Sequence, residues 1–506
     1  MENFLSKVAE INSAVNNVVW GIPALALLIG TGILMTILTK GFQFTRFGHM
    51  IRETLGGLFR KKDVMKSDDR NSISQFQALC TALSATIGTG NIAGIAYAIT
   101  MGGPGAVFWM WVAAIFGMMT NYSENVLGIF FRRRNKDGEW SGGAMYYLRD
   151  GLGSKKGCKQ IGAVLAVLFS VFAIVASFGI GNMGQVASIR ESIAGLGSFT
   201  GNATIDSLVV GAVVMIAVAL VVLGGLHRIA KANEKIVPFM SVFYIIGALI
   251  IVFMHVDQVG PAFRSIFVGA FNMKAVAGGV GGAVIMQAIT WGFKRGVFSN
   301  EAGLGSSVMV HSNSNVKEPV TQGLWGIFEV FVDTIIVCTL TALVILTTGI
   351  VDLETGASLS GATKLGLATE AFTNSFGTFG GIFIAIAITL FAFSTVLGWS
   401  HYGSKAWEYL FGTKSIVVYR VVFIIVVLVG SVLSADLVID LSDTFNGLMA
   451  IPNLIGVITM SGTVLAITKN YSERKLGKTP KNVKPMLSAF EDIQAEQEAA
   501  IKAEEK

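Results

Sequence analysis

FQALCTALSATIGTGNIAGIAYAIT (76–100) is apolar along most of its length, yet Gly88-Thr89-Gly90-Asn91 and Gly94 interrupt it near the middle. As a helix the stretch is long enough to cross roughly 30 Å of hydrocarbon. A bilayer interior offers no water to pair a freed backbone group or the side chains of Thr89 and Asn91. Close helix packing explains Gly94. It explains less well two glycines that flank a threonine and abut an asparagine. The pattern predicts that the span unwinds there. It is not a dinucleotide fingerprint, because no soluble strand precedes it.

The rest of the chain fits a membrane setting. Of its 506 residues 53% are hydrophobic and only 14% charged, against about 25% charged in soluble domains. Eleven segments read as membrane helices: 18–39, 76–101, 105–131, 161–189, 206–225, 234–255, 279–305, 322–350, 378–403, 416–434 and 441–468. Alternate connections hold 30 Lys and Arg on one side and 5 on the other. The positive-inside rule then places the N-terminus outside and the C-terminus in the cytoplasm. The net charge of +6 follows this topology and signals no nucleic-acid partner. Cys80, Cys158 and Cys338 form no metal or disulfide pattern.

Residues 1–75 read as an extra first span plus an amphipathic segment at 41–62. That segment sets Phe44, Phe47, Ile51, Leu55 and Leu58 on one helical face. Residues 76–468 form a ten-span core, and 469–506 a cytoplasmic tail, either a solvated helix or disordered.

A second interruption lies in the seventh span, ITWGFKRGVFSNEAGLGSS (289–307). Lys294 and Arg295 cost at least about 2.5–3.5 kcal/mol each near a bilayer centre, so they need partners. Glu301 lies in the same span, Glu329 and Asp333 share a face of the eighth, and Glu124 ends the third. The expectation is one ion network in the cytoplasmic half, serving as an inner gate or only as a structural brace. With the first span set aside, the two interruptions open two five-helix halves, 76–255 and 279–468, of opposite orientation. That arrangement points to the site of a secondary transporter.

Helix ends supply the chemistry. Free N–H groups at Thr89, Gly90 and Asn91 suit a carboxylate. Carbonyls freed at Ile289–Gly292 would suit an ammonium or a cation. Together they describe a receptor for a zwitterionic amino acid, and liberated oxygens also suit Na⁺.

The runs GTGNIAG (88–94), WGFKRGVFSNEAGLGSS (291–307) and LGWSHYG (397–403) resemble the alanine or glycine:cation symporter family. The resemblance covers nearly all the spans and implies an all-α LeuT-type 5+5 inverted-repeat core. It implies import of alanine or glycine across the cell membrane with Na⁺, or alternatively H⁺, as the coupling ion. At matching positions it implies Na⁺ bound by the Ser84 and Ile87 carbonyls and the Ser394 and Thr395 hydroxyls, with substrate at Thr89 and Gly90. Asn91 would serve a second cation or the substrate. Asn182 and Gln185 read either as interhelical hydrogen bonds or as substrate contacts. Trp399 reads as an interfacial anchor or, by the resemblance, as a pocket wall. Asp440, Asp443 and Asn446 read as a solvated mouth or an outer gate. A channel would want a repeated filter. An enzyme would want a nucleophile–base pair or clustered His, and the five histidines are scattered.

Overall fold

A computed structural model describes residues 2–271, 281–433, 435–477 and 483–504, and these are almost wholly helical. Helices α1 (Glu2–Val19) and α2 (Ile22–Leu38) lead in. The interrupted stretch follows as α3 (Gln75–Thr86) and α4 (Ala93–Gly102), joined by a short 3₁₀ turn over Thr89–Asn91, and then α5 (Gly105–Phe130). A small hairpin pairs β1 (Arg133–Arg134) with β2 (Trp140–Ser141). Next come α6 (Lys159–Phe178), a π turn at Gly179–Met183, and α7 (Gly184–Ala194). Helices α8 (Ala203–Val222), α9 (Gly225–Met254) and α10 (Val256–Phe271) precede α11 (Gly281–Asn300). Helix α12 (Pro319–Val330) passes through a π turn at Phe331–Cys338 into α13 (Thr339–Thr347). The remainder comprises α14 (Lys364–Phe376), α15 (Thr378–Phe411), α16 (Ile416–Val432), α17 (Ala435–Thr459), α18 (Ser461–Lys475) and α19 (Glu491–Glu504).

Among the described residues seven helices are long and apolar enough to cross a membrane, and two bent pairs qualify only together. One bent pair is α4 and α5, which turn by 120° at Gly103-Pro104; the other is the Asp443–Thr459 part of α17 with α18. The polarity of the bundle is inside out. On α8, Val209, Val213, Ile216 and Leu220 form an exposed apolar stripe, while Ser84, Asn91, Glu124 and Asp333 are buried. Such a belt suits lipid, and polar groups in a dry interior must find protein partners.

Helix α11 runs unbroken through Ile289–Gly292, contrary to the expected break. A Cβ on Gly292 would lie 2.5 Å from the Ala106 carbonyl and 2.6 Å from the Trp109 Cβ. Gly292 therefore lets α11 and α5 touch backbone to backbone. The helix stops later, where Glu301, Gly303 and Gly305 all take positive φ.

Two flanking segments also differ from expectation. Residues 42–65 form four short helical pieces, because Arg46, Thr54 and Lys61 each leave helical geometry. The tail is docked: the Ala489 N–H donates to the Phe130 carbonyl, and Arg474 forks onto Glu318 with two bonds of 2.7 Å.

Gly292→Leu should cost about 1–3 kcal/mol by overpacking. A fall in the detergent unfolding midpoint checks this; an unchanged midpoint would show that the α5–α11 contact can relax.

Candidate functional site

The unwound turn is held open by side chains. The Ile87 N–H still bonds the Leu83 carbonyl, closing α3, and the Asn91 Oδ1 then takes the Gly88 N–H at 2.9 Å. A Cβ at Gly88 would stand 2.7 Å from the Thr395 Oγ1, so only glycine fits beneath α15. The freed Thr89 N–H and hydroxyl point to the Gln185 Oε1 at 3.5 and 3.1 Å. Gln185 is fixed by its own Nε2, which donates to the Ile180 carbonyl at 3.0 Å across the π turn. A primary-amide oxygen thus accepts the N–H freed at the turn.

These groups border a cavity of about 80 Å³, walled by Thr89, Gly90, Gln185, Tyr97, Phe298 and Lys364 among others. Ile289, Gly292 and Trp399 do not line it. Trp399 is buried against Gly181 and edge-on to Tyr402 at 5.4 Å, which makes it part of the packing of α15 on the π turn at Gly179–Met183. Asn182 is likewise structural in its contacts, donating to the Phe423 carbonyl at 2.7 Å.

Beside the same turn, the Thr395 Oγ1 lies 2.9 Å from the Ser84 carbonyl, joining α15 to the end of α3. The Thr395 Oγ1 is also 2.9 Å from the Phe391 carbonyl of its own helix, and Ser394 donates to that same carbonyl at 2.9 Å. Asn233 of α9 donates to the Ser84 hydroxyl at 2.9 Å and leaves its Oδ1, a buried acceptor, without a hydrogen-bond partner among the described residues. An unsatisfied buried oxygen next to a helix-end carbonyl and a hydroxyl is a donor set that suits a small hard cation. The sequence reading missed Asn233, because nothing local sets it apart within KANEK (231–235).

The expected single ion network is two separate groups. Lys294 Nζ and Arg295 Nη2 each lie 3.4 Å from the Asp443 Oδ2 on α17, and Lys294 also donates to Asn16 of α1 at 3.1 Å. The acids have neutral partners. Asp333 accepts from Asn91 at 2.6 Å and from Ser299 and Thr334 at 2.8 Å. Glu301 accepts from Ser306 at 2.5 Å, Glu329 pairs with His311 at 3.0 Å, and Glu124 accepts from Asn453 at 2.5 Å. Among the described residues, no Lys or Arg makes an ion pair with these four acids. The reason is axial distance: with α11 helical to Asn300, seven residues separate Lys294 from Glu301, or about 10 Å. Asp440, weighed with Asp443 for a mouth, has its side chain outside the described residues. Asn446 is buried, with neither side-chain amide atom bonded among the described residues.

A second, larger cavity of about 430 Å³ lies over this ion cluster, bounded by α1, Trp20, Trp291 and Asp443. Tyr97 and Arg295 border both cavities, so they form the partition between them.

The family model described as the sodium:alanine symporter family matches residues 5–484. The chain belongs to that family. It is a sodium-coupled amino-acid symporter by family, a transporter and not an enzyme. The sodium/alanine symporter AgcS of Methanococcus maripaludis is 45% identical over 461 residues, covering 91% of this chain and 96% of the relative. The probable sodium/glutamine symporter GlnT of Bacillus subtilis is 35% identical over 95% of this chain and 94% of its own length. Among solved structures, MhsT in complex with L-phenylalanine superposes with a TM-score of 0.53 at 16% identity, over 79% of this chain and 99% of that one. That likeness places the symporter's fold with LeuT-type transporters.

Asp443 is the shared counter-charge of two buried cations, so Asp443→Asn should destabilise the symporter by about 3–5 kcal/mol. Thermal unfolding in detergent checks it, with Asp443→Glu expected to retain most of the stability. Wild-type stability in Asp443→Asn would remove the pair from the account of how α11 is held.

Proposed function

We propose that this chain is an eleven-span, 5+5 inverted-repeat importer of alanine and/or glycine coupled to Na⁺. Its N-terminus is outside, its C-terminus is in the cytoplasm, and it resides in the cell membrane. The observation that supports the reading is the Thr395–Ser84 contact beside the unwound Gly88–Asn91 turn, because two oxygens of the kind a cation takes lie five residues from helix-end amides of the kind a carboxylate takes.

The substrate carboxylate takes the Thr89 and Gly90 amides, displacing the Gln185 Oε1. That oxygen then accepts from the ammonium. Na⁺ takes the Ser84 and Ile87 carbonyls and the Thr395 hydroxyl, which turns its lone pairs inward. Ser394 completes the set on rotating from its own helix, and the Asn233 Oδ1 offers a further oxygen. Because both ligands act on one unwound turn, each stabilises the conformation the other needs. Access alternates by rocking of the two repeats, and the Tyr97–Arg295 partition with the Lys294–Arg295–Asp443 cluster serves as the outer gate.

A proton-coupled symporter of the same fold is the second reading. The burial of Glu124, Glu301, Glu329 and Asp333 beside neutral donors favours it, since such carboxyls can carry protons.

Labelled alanine and glycine uptake into proteoliposomes, with Na⁺ and proton gradients imposed separately, tests both readings. Na⁺-driven uptake is expected; uptake indifferent to both gradients refutes symport. Thr395→Ala should raise the Na⁺ concentration for half-maximal uptake by about tenfold, the loss of one oxygen ligand. In Gly90→Val the new Cβ would meet Phe298 at 3.5 Å, an ordinary contact, so the fold should hold. Substrate binding should be lost, and normal affinity in that variant would exclude the backbone-amide receptor.

A further inference from the structure

The cytoplasmic tail is held by more contacts than a solvated segment needs. Residues 483–504 lie almost wholly past residue 484, where the match to the family ends. The Ala489 N–H and the Ser488 hydroxyl donate to the Phe130 carbonyl at the end of α5, at 2.9 and 3.4 Å. Gln494 shapes the approach to α19. Its Oε1 takes the Leu487 and Ser488 N–H groups at 2.9 and 3.0 Å, and its Nε2 donates to the Pro485 carbonyl at 2.7 Å. Ile493 and Gln497, one helical turn apart on α19, are buried, as is Leu487.

The tail lies on a seam between the β1–β2 hairpin and the loop that joins α11 to α12. Arg132, just before β1, is buried and donates across the seam to the Ser312 and Ser314 carbonyls at 3.2 and 2.7 Å, and to that of Val316. Asn313 of the same loop donates to the Trp140 carbonyl of β2. Helix α19 crosses this seam too. Its Glu496 pairs with Arg134 of β1 at 3.0 Å, and its Ala500 carbonyl accepts from Lys317 of the loop at 3.4 Å. Arg133 of the hairpin stacks on Phe490, just before α19, at 4.1 Å. Residues 496 and 500 are one turn apart, about 6 Å along the axis. One short rigid piece therefore holds both anchors only while hairpin and loop are adjacent.

We propose that residues 483–504 are a latch by which the chain holds its own cytoplasmic side closed, and that lifting of the tail lets the seam open. This rests on the reading that access alternates, because hairpin and loop belong to different proposed repeats. The closing ion pair has 29% and 49% of its two side chains exposed. Such a pair is individually weak and is screened by salt, so the latch releases as ionic strength rises.

The test follows opening of the seam in the full-length protein in lipid nanodiscs. Ser314→Cys, buried in the closed seam, is the reporter, in a Cys158→Ser background because Cys80 and Cys338 are buried. Its rate of reaction with a water-soluble maleimide is the readout. Glu496→Lys should raise that rate by about fivefold at low salt, the most a surface ion pair holds. Deletion of 483–506 should raise it at least as far, with the unfolding midpoint unchanged. Without the substitution the rate should climb as salt goes from ~0.02 to ~0.5 M, whereas in Glu496→Lys it should be nearly flat. An unchanged rate in both variants overturns the latch. So does a rise accompanied by a lowered unfolding midpoint in both, which would make the tail a structural brace. A rise at constant midpoint, in a chain that imports no labelled alanine with or without its tail, refutes the importer reading and leaves the latch standing.

Discussion

A stretch of unwound backbone in a dry interior must be satisfied by other parts of the chain, and the organisation of this protein follows from that demand. Gly88–Asn91 has three such supports. Gln185 of α7 takes the Thr89 N–H, Asp333 of the π turn after α12 holds Asn91, and Thr395 of α15 caps the Ser84 carbonyl. Each support comes from a different helix, so movement of any of them alters the groups presented at the turn. Two of the supports adjoin π turns, which already depart from regular helical bonding. Local irregularity is concentrated around the unwound turn.

Charge follows the same economy of partners. Cations and acids sit in one bundle yet do not neutralise one another, because α11 carries Lys294 and Arg295 well before its end. Asp443 reaches them from α17, while hydroxyls, amides and a histidine bond the other carboxyls, leaving one oxygen each of Glu124 and Glu329 without a hydrogen bond among the described residues. The cations therefore mark the partition between the two cavities, and the acids mark the packing around the chain's second irregular region. A single central ion network would tie these regions together; here each is held by its own partners.

Much of this was legible in residues alone. The break in 76–100 could be read because its cause is local: two glycines beside polar side chains weaken a helix wherever it is placed. The break in 289–307 was misplaced because a glycine in a membrane helix has two meanings. Gly292 makes room for a neighbouring backbone, whereas Gly303 and Gly305 turn the chain, and only the presence of Ala106 and Trp109 distinguishes them. Trp399 raised the same ambiguity between packing and pocket. Asn233 and Lys364 carried no local mark at all.

Hydropathy, charge asymmetry and glycine spacing in the sequence determined a polytopic helical protein and the existence of an unwound turn at Gly88–Asn91, since these depend on near neighbours and on the solvent, while the family was legible only through the resemblance of the runs at 88–94, 291–307 and 397–403. The tertiary structure alone decided which oxygen faces which amide, that Asp443 rather than Glu301 answers Lys294 and Arg295, and that Tyr97 and Arg295 stand between two cavities. Those are contacts between residues up to a few hundred positions apart. They are set by how helices pack, and a linear pattern does not record that.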